Sequence, residues 1–323
     1  MPLKFSSSQN EAYASVKSIL PETPKPVPQK NQSKINFNSS YPKYDMKDLI
    51  IEEKTKDEIQ TVVNSKKNWD KVFIEWGLGR TLKQNSSLFV NLYGEPGTGK
   101  TMCAHAIAKE LDKKIICVNY ADIESKYVGE TSKNLTCLFD YAKENDLVIF
   151  FDEADALLSK RVTNMSSSTD VSVNQTRSVL LTLLNDYSGI VIFATNFISN
   201  FDSAFMRRIH FHIKFELPNE ELRQKLWKMY VPSEMPVSLD FRGIAKKYDN
   251  ISGSDISTSV LKAALKAAND GADIVYQEYF EDAVEGIIES KKANSASSDK
   301  TVTKRVVSEE YAMQQLANKV SNS

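Results

Sequence analysis

The run Gly94-Glu95-Pro96-Gly97-Thr98-Gly99-Lys100-Thr101 constrains this chain more than any other stretch. It satisfies the spacing G-x-x-x-x-G-K-[ST] and lies between an apolar run over residues 87–93 and a helix-periodic run over residues 102–111. Strand, glycine loop and helix in that order make an anion cradle. Glycines let successive backbone N–H groups turn inward, and the helix N-terminus adds partial positive charge. Lys100 extends toward terminal phosphates, and the Thr101 hydroxyl is a ligand for Mg²⁺. The expected ligand is a nucleoside triphosphate held by Gly94, Glu95, Pro96, Gly97, Thr98, Gly99, Lys100, Thr101 and Met102. A glycine turn that binds nothing is the competing reading, and it must treat every fixed position and both flanking elements as coincidence.

A second constellation supplies hydrolytic chemistry. Residues 147–151 are continuously apolar and end in Asp152-Glu153. Charges at the end of a buried strand are costly unless they are used. Asp152 suits the hydration shell of Mg²⁺, and Glu153 suits polarisation of an attacking water as general base.

Apolar strands over 87–93, 114–119, 147–151, 190–195 and 209–216 alternate with helical patterns near 131–143 and 173–187. Continuous apolar strands separated by helices predict an α/β fold with a parallel five-stranded sheet covered on both faces and the ligand at the carboxyl ends of the strands. After Pro218 the strands stop and four helical patterns follow, over 219–230, 241–248, 252–269 and 275–290. The predicted organisation is a leader over 1–45, a large α/β unit over 46–217, a small helical lid over 218–290 and a tail over 291–323. The leader is rich in Ser, Pro, Asn and Lys, and the tail opens on a solvated Lys-Lys-Ala-Asn-Ser run, so both are expected to be flexible. Short amphipathic helices are plausible at 8–20 and 308–320.

With these motifs in order, residues 46–290 resemble the AAA ATPases in the narrow sense, the group containing NSF, katanin, spastin and the membrane-anchored AAA proteases. The resemblance implies the P-loop AAA+ fold with its helical lid, ATP and Mg²⁺, and a homo-oligomer, expected as a hexamer, with each nucleotide between subunits. Asn196, after the run Ile192-Phe193-Ala194-Thr195, matches the polar sensor of that family. Arg207 and Arg208 match the segment that supplies arginine fingers to the neighbour. Here the two are adjacent where the family separates them by Pro-Gly, which leaves open which one touches phosphate. Gly253 and Ser254, in Ser252-Gly253-Ser254-Asp255, match a turn that contacts base and sugar, and Tyr230 stands where relatives carry a His near the ribose. Asp48–Ile50 would line the adenine pocket. Lys126, Tyr127, Val128 and Gly129 occupy the position of the central pore loop, where aromatic and branched side chains grip an extended polypeptide. The implied activity is ATP-driven remodelling, with a protein substrate pulled through the pore to unfold it or to take a complex apart. A nucleic-acid loader or initiator is the alternative, and a non-hydrolysing switch is a third reading that Glu153 opposes.

Composition bears on these alternatives. Residues 1–45 and 291–323 each hold six Lys/Arg against three Asp/Glu, while the whole chain has a net charge of −1, so the body between them is acidic. That is a poor footprint for a nucleic-acid binder, and no such partner is expected. No apolar run reaches the ~20 residues that span a bilayer, so no membrane association is expected. Cys103, Cys117 and Cys137 sit at scattered spacings within core-like elements, which predicts buried thiols, a reducing compartment and a cytoplasmic location. The three histidines, His105, His210 and His212, form no His-Glu-x-x-His pattern, which excludes the zinc site of the AAA proteases and warrants no metal reading.

Overall fold

The computed structural model describes residues 37–82, 86–119, 130–159, 168–196 and 201–298. The leader up to residue 36, Lys126–Gly129 and the proposed 308–320 helix lie outside them.

Five parallel strands form the central sheet: β1 (Leu88–Gly94), β2 (Ile115–Asn119), β3 (Val148–Asp152), β4 (Ile190–Thr195) and β5 (Phe211–Phe215), in the order β2-β3-β4-β1-β5. Helices supply the crossovers: α1 (Glu53–Lys67) leads in, α2 (Lys100–Glu110) follows β1, α3 (Glu130–Glu144) follows β2, and α4 (Asp155–Leu158) and α5 (Ser168–Asp186) follow β3. The short α6 (Ser203–Met206) precedes β5. Alternate residues of each strand enter opposite cores, as the two-residue period of a strand requires. One core joins Val90, Leu92, Phe150 and Ile192 to Ile59, Val62 and Val63 of α1 and to Cys103, Ala104 and Ile107 of α2. The other joins Phe89, Ile149, Phe151 and Phe193 to Leu135, Leu138 and Phe139 of α3, Leu180 and Leu184 of α5 and Phe205 of α6. With both faces covered, the strands read as unbroken apolar runs.

Beyond β5, α7 (Glu220–Tyr230), α8 (Phe241–Lys247), α9 (Gly253–Asn269) and α10 (Gln277–Ser298) enclose a third core around Trp227, which is fully buried and meets Phe280 edge-on at 6.0 Å. A two-residue parallel pair, β6 (Val237–Ser238) with β7 (Val275–Tyr276), staples the start of α10 to the α7–α8 connection. Side-chain caps define the helix starts: Asn219 accepts from Leu222 N at 3.0 Å, and Ser252 forms a capping box with Asp255.

Three expectations are corrected. Residues 37–45, assigned to the leader on composition, hold to the body: Ser40 bridges Ile115 on the free edge of β2 (N···O 2.9 and 3.0 Å), and Phe37 packs on Tyr141. α10 does not stop at residue 290 but continues to Ser298, because Lys291 reaches back to Asp255 at the start of α9. Of the three thiols, Cys103 alone is buried; Cys117 lies on the edge strand β2 and Cys137 on the outer side of α3, where apolar neighbours in sequence do not imply cover.

Candidate functional site

The polar residues expected to act on phosphate converge at the carboxyl edge of the sheet. β4 lies between β1 and β3, so the loop after β1, the carboxylates ending β3 and Asn196 after β4 stand side by side. They line a cleft of about 420 Å³ that also includes Tyr230, Ser254 and Ser257.

The loop has the backbone that a cradle needs. Gly94, Gly97 and Gly99 have φ of +141°, +75° and +104°, a region that side chains disfavour. A Cβ on Gly94 would lie 2.0 Å from Phe215 O, and one on Gly97 would lie 2.6 Å from Ser252 Oγ. The second contact shows how closely the helical region seats on the loop, a fit reinforced by Ser254 N donating to Gly97 O at 3.2 Å. A Cβ on Gly253 would meet Gly97 O at an ordinary 3.5 Å. Thr98 Oγ1 donates to Glu95 O at 2.7 Å and ties the loop to itself.

Lys100, the first residue of α2, is only 8% exposed. Its Nζ donates to Gly94 O (2.7 Å), Glu95 O (2.9 Å) and Asn196 Oδ1 (3.1 Å). Burial pulls its pKa below the usual lysine range, and the charges of Asp152, Asp155 and Glu95 oppose that fall. Thr101 Oγ1 donates to Asp152 Oδ2 at 3.0 Å, so the hydroxyl and carboxylate suited to one hard cation are already adjacent. These donors and acceptors fit a phosphate chain with Mg²⁺: a backbone nest, a partly desolvated ammonium and an oxygen pair.

Glu153 is exposed and takes a left-handed φ of +51°, unusual for a residue with a Cβ. Its N donates to Asp152 Oδ1 at 3.0 Å, and Ala154 N donates to Ala194 O at 2.9 Å, which pins the turn to β4. The turn carries Glu153 into the cleft instead of continuing the strand. Asp155 is a residue that sequence reasoning missed. Its two carboxylate oxygens accept from Asn196 N at 3.2 and 3.3 Å, so it fixes the loop whose side chain meets Lys100. The signal was a third acid two residues after Glu153, at the first position of α4.

A narrower recess adjoins the cleft, lined by Asp48, Leu49, Ile50, Met102, Phe215, Leu226, Met229, Tyr230 and Gly253. Asp48–Ile50 thus border this largely apolar recess, while Tyr230 borders both spaces.

Arg207 and Arg208 do not line this cleft and are set apart from each other by their contacts. Arg208 is fastened within its own chain, with Nε donating to Asn185 Oδ1 and Nη1 to Ala204 O, both at 2.8 Å. Arg207 is exposed, and among the described residues its Nε donates to Ser203 O at 3.2 Å. The pore-loop residues Lys126, Tyr127, Val128 and Gly129 lie outside the described residues.

Residues 90–217 match the family model described as the ATPase family associated with various cellular activities (AAA). The chain is 33% identical over 216 residues to the 26S proteasome regulatory subunit 10B homolog A of Arabidopsis thaliana, covering 64% of this chain and 54% of the relative. It is 35% identical over 225 residues to proteasome-activating nucleotidase 1 of Haloferax volcanii, covering 67% and 53%. It is 33% identical over 214 residues to the proteasome-activating nucleotidase of Methanopyrus kandleri, covering 64% and 49%. The chain spans about half the length of these curated relatives.

Proposed function

Because the chain carries an AAA ATPase domain homologous to those of proteasome-activating nucleotidases and 26S proteasome regulatory subunits, we propose that it is an ATP-hydrolysing ring motor that remodels protein. The observation that carries this reading is the cage around Lys100: a partly desolvated ammonium between the phosphate loop and Asn196, facing Asp152 and Glu153 across one cleft. Substrate binding exchanges the three oxygens around Nζ for phosphate oxygens, and this frees the Asn196 side chain to orient water. Glu153 accepts the proton of that water. Mg²⁺, when bound, spreads positive charge over the phosphate oxygens; Thr101 would ligate it directly and Asp152 through water. Gly253, Ser254 and Met102 hold sugar and base.

The arginines complete a site they do not line in their own subunit, which supports a homo-oligomer, expected as a hexamer, in which Arg207 reaches the neighbour's phosphate. A guanidinium suits that place because it stays charged and spans several oxygens. In this reading the α/β unit runs over 37–217 and the lid over 218–298, and Tyr127 and Val128 grip an extended protein substrate in the pore, flanked by Lys126 and Gly129. Three free cysteines suit a cytoplasmic setting, and among the described residues no helix is long and apolar enough to cross a membrane.

Glu153→Gln tests the chemistry. It should retain ATP binding while turnover falls by ~10²-fold or more, the loss expected for a positioned base, and the ring should then hold its protein substrate for identification by pull-down. Undiminished turnover refutes the base assignment. Tyr127→Ala should hydrolyse ATP yet fail to unfold substrate; unfolding at the wild-type rate refutes threading.

A further inference from the structure

The segment that carries Arg207 is too short to set its own geometry. α6 is a single turn, with Asp202 as its N-cap and Arg207 closing it, and a helix of that length does not persist without tertiary anchors. Anchors are present at both ends. At the exit, Arg208 Nε donates to Asn185 Oδ1 of α5. At the entry, Asp202 N donates to Leu158 O at 2.9 Å, and Phe201 pairs with Ser159 in an isolated antiparallel bridge, so α6 is fastened to the last residue of α4 and the one beyond it. Ser159 is held in turn. Arg177 of α5, only 3% exposed, donates from Nη2 to Ser159 Oγ and from Nη1 to Asn174 Oδ1, the latter at 3.2 Å.

A guanidinium in that place needs a reason, because a buried charge is costly unless its hydrogen bonds are made, and an apolar side chain meets the needs of packing at lower cost. The planar fork supplies the reason: it stays charged and addresses two acceptors in fixed directions. Phe201 and Phe205 belong to the same buried core as Leu157, Leu158 and Leu180, so the fork works against well-packed surroundings. We propose that Arg177 and Ser159 are positioning residues that clamp the entry to α6, as Arg208 clamps its exit, and so present Arg207 to the neighbouring subunit in one orientation. Neither residue is among those lining the cleft of its own subunit; the clamp serves the phosphate bound next door. The other end of α4 has a different task. There Asp155 accepts from Asn196 N, and Asn196 lines its own subunit's cleft. One helix of 4 residues thus divides its ends between two active sites. The inference rests on the ATPase reading above, with Arg207 as the finger, and adds the residues that hold that finger in place.

The test uses the full chain in mixed rings. One partner is Glu153→Gln, which keeps its arginine, and the other is Arg207→Ala, which keeps its base, so turnover comes only from sites that combine the two. Ser159→Ala or Arg177→Met is then added to one partner at a time, with ring assembly followed by sedimentation. Added to the Glu153→Gln partner, either change should cut the recovered turnover about ten-fold while KM for ATP stays within about two-fold, the pattern of a misplaced group that does not bind the ground state. Added to the Arg207→Ala partner, the same change should leave recovery within about two-fold, because the α6 of that subunit serves no complete site. Ser159→Ala removes a single hydroxyl and reads the clamp in a folded protein even where Arg177→Met does not fold. Equal losses in the two placements, no loss in the first, or a loss that merely accompanies failure of the rings to assemble overturns the clamp. If the mixture without either change recovers no turnover, the shared-site reading itself falls and the clamp falls with it.

Discussion

The adjacent Arg207 and Arg208 illustrate how two identical side chains acquire different tasks from their contacts. Arg208 uses its guanidinium on Asn185 of α5 and on Ala204 O, bonds that lock α6 to the body of its own chain. Arg207 has one bond to the preceding turn and points its charge to solvent. Removing Arg207 should therefore leave the melting temperature unchanged and reduce turnover by ~10³-fold or more, the scale reported for arginine fingers. Removing Arg208 should instead lower stability by about 1–2 kcal/mol, since it strips partners from two oxygens. Its effect on turnover should be smaller. Thermal melts and steady-state ATPase rates on Arg207→Ala and Arg208→Ala separate the two, and a reversed pattern assigns the finger to Arg208.

At the scale of elements, the start of α9 is the joint between helical region and phosphate loop. Ser252 and Asp255 cap the helix reciprocally (2.7 Å from Ser252 N to Asp255 Oδ2), Ser254 bonds to Gly97 O, and Lys291 of α10 closes on Asp255. Burial pushes the Asp255 carboxyl up, but the bonds from Lys291 and Ser252 together outweigh it and hold the group below its ordinary value. A carboxyl depressed in the folded state contributes stability that is present above the unfolded pKa, near 4, and is lost as pH falls through the folded value. Lys291→Ala should thus cost about 0.5–1 kcal/mol at neutral pH, a modest figure because the lysine is half exposed. The difference from wild type should shrink as acid protonates Asp255, and chemical denaturation at pH 7 and pH 3 measures both; an equal difference at the two values rejects the linkage. The capping box itself was legible in Ser252-Gly253-Ser254-Asp255, as were the glycine loop and the apolar strands, since spacing alone specifies them. The long-range partner Lys291 was not, because it lies in a run whose composition reads as linker. Strand order was hidden for the same reason: periodicity marks β1 as a strand and says nothing of its place between β4 and β5. Asp155 escaped notice because an acid just beyond a strand has meaning only once its neighbours across the sheet are known.

For the whole molecule the decisive matter is where a complete active site exists. Within one subunit Lys100, Asp152, Glu153 and Asn196 share a cleft that Arg207 and Arg208 do not line, so the proposed chemistry needs a second copy placed head to tail. Such a heterologous contact closes into a ring when its rotation permits. Two inactive variants can then repair each other. A Glu153→Gln subunit retains its arginine, and an Arg207→Ala subunit retains its base. Where an Arg207→Ala subunit receives the arginine of a Glu153→Gln neighbour, the shared site has both groups intact. In randomly mixed rings made from equal amounts, a given site combines an intact base with an intact neighbouring arginine in about one case in four. Mixing the two after dissociation and reassembly should therefore recover turnover toward about a quarter of the wild-type rate, and diluting the mixture until rings come apart should abolish it again. Recovery cannot arise if each subunit hydrolyses ATP alone, because every subunit in the mixture lacks one essential group. An inactive mixture that still sediments as rings would show that base and finger belong to the same chain, and would overturn the shared-site geometry on which the proposed motor rests.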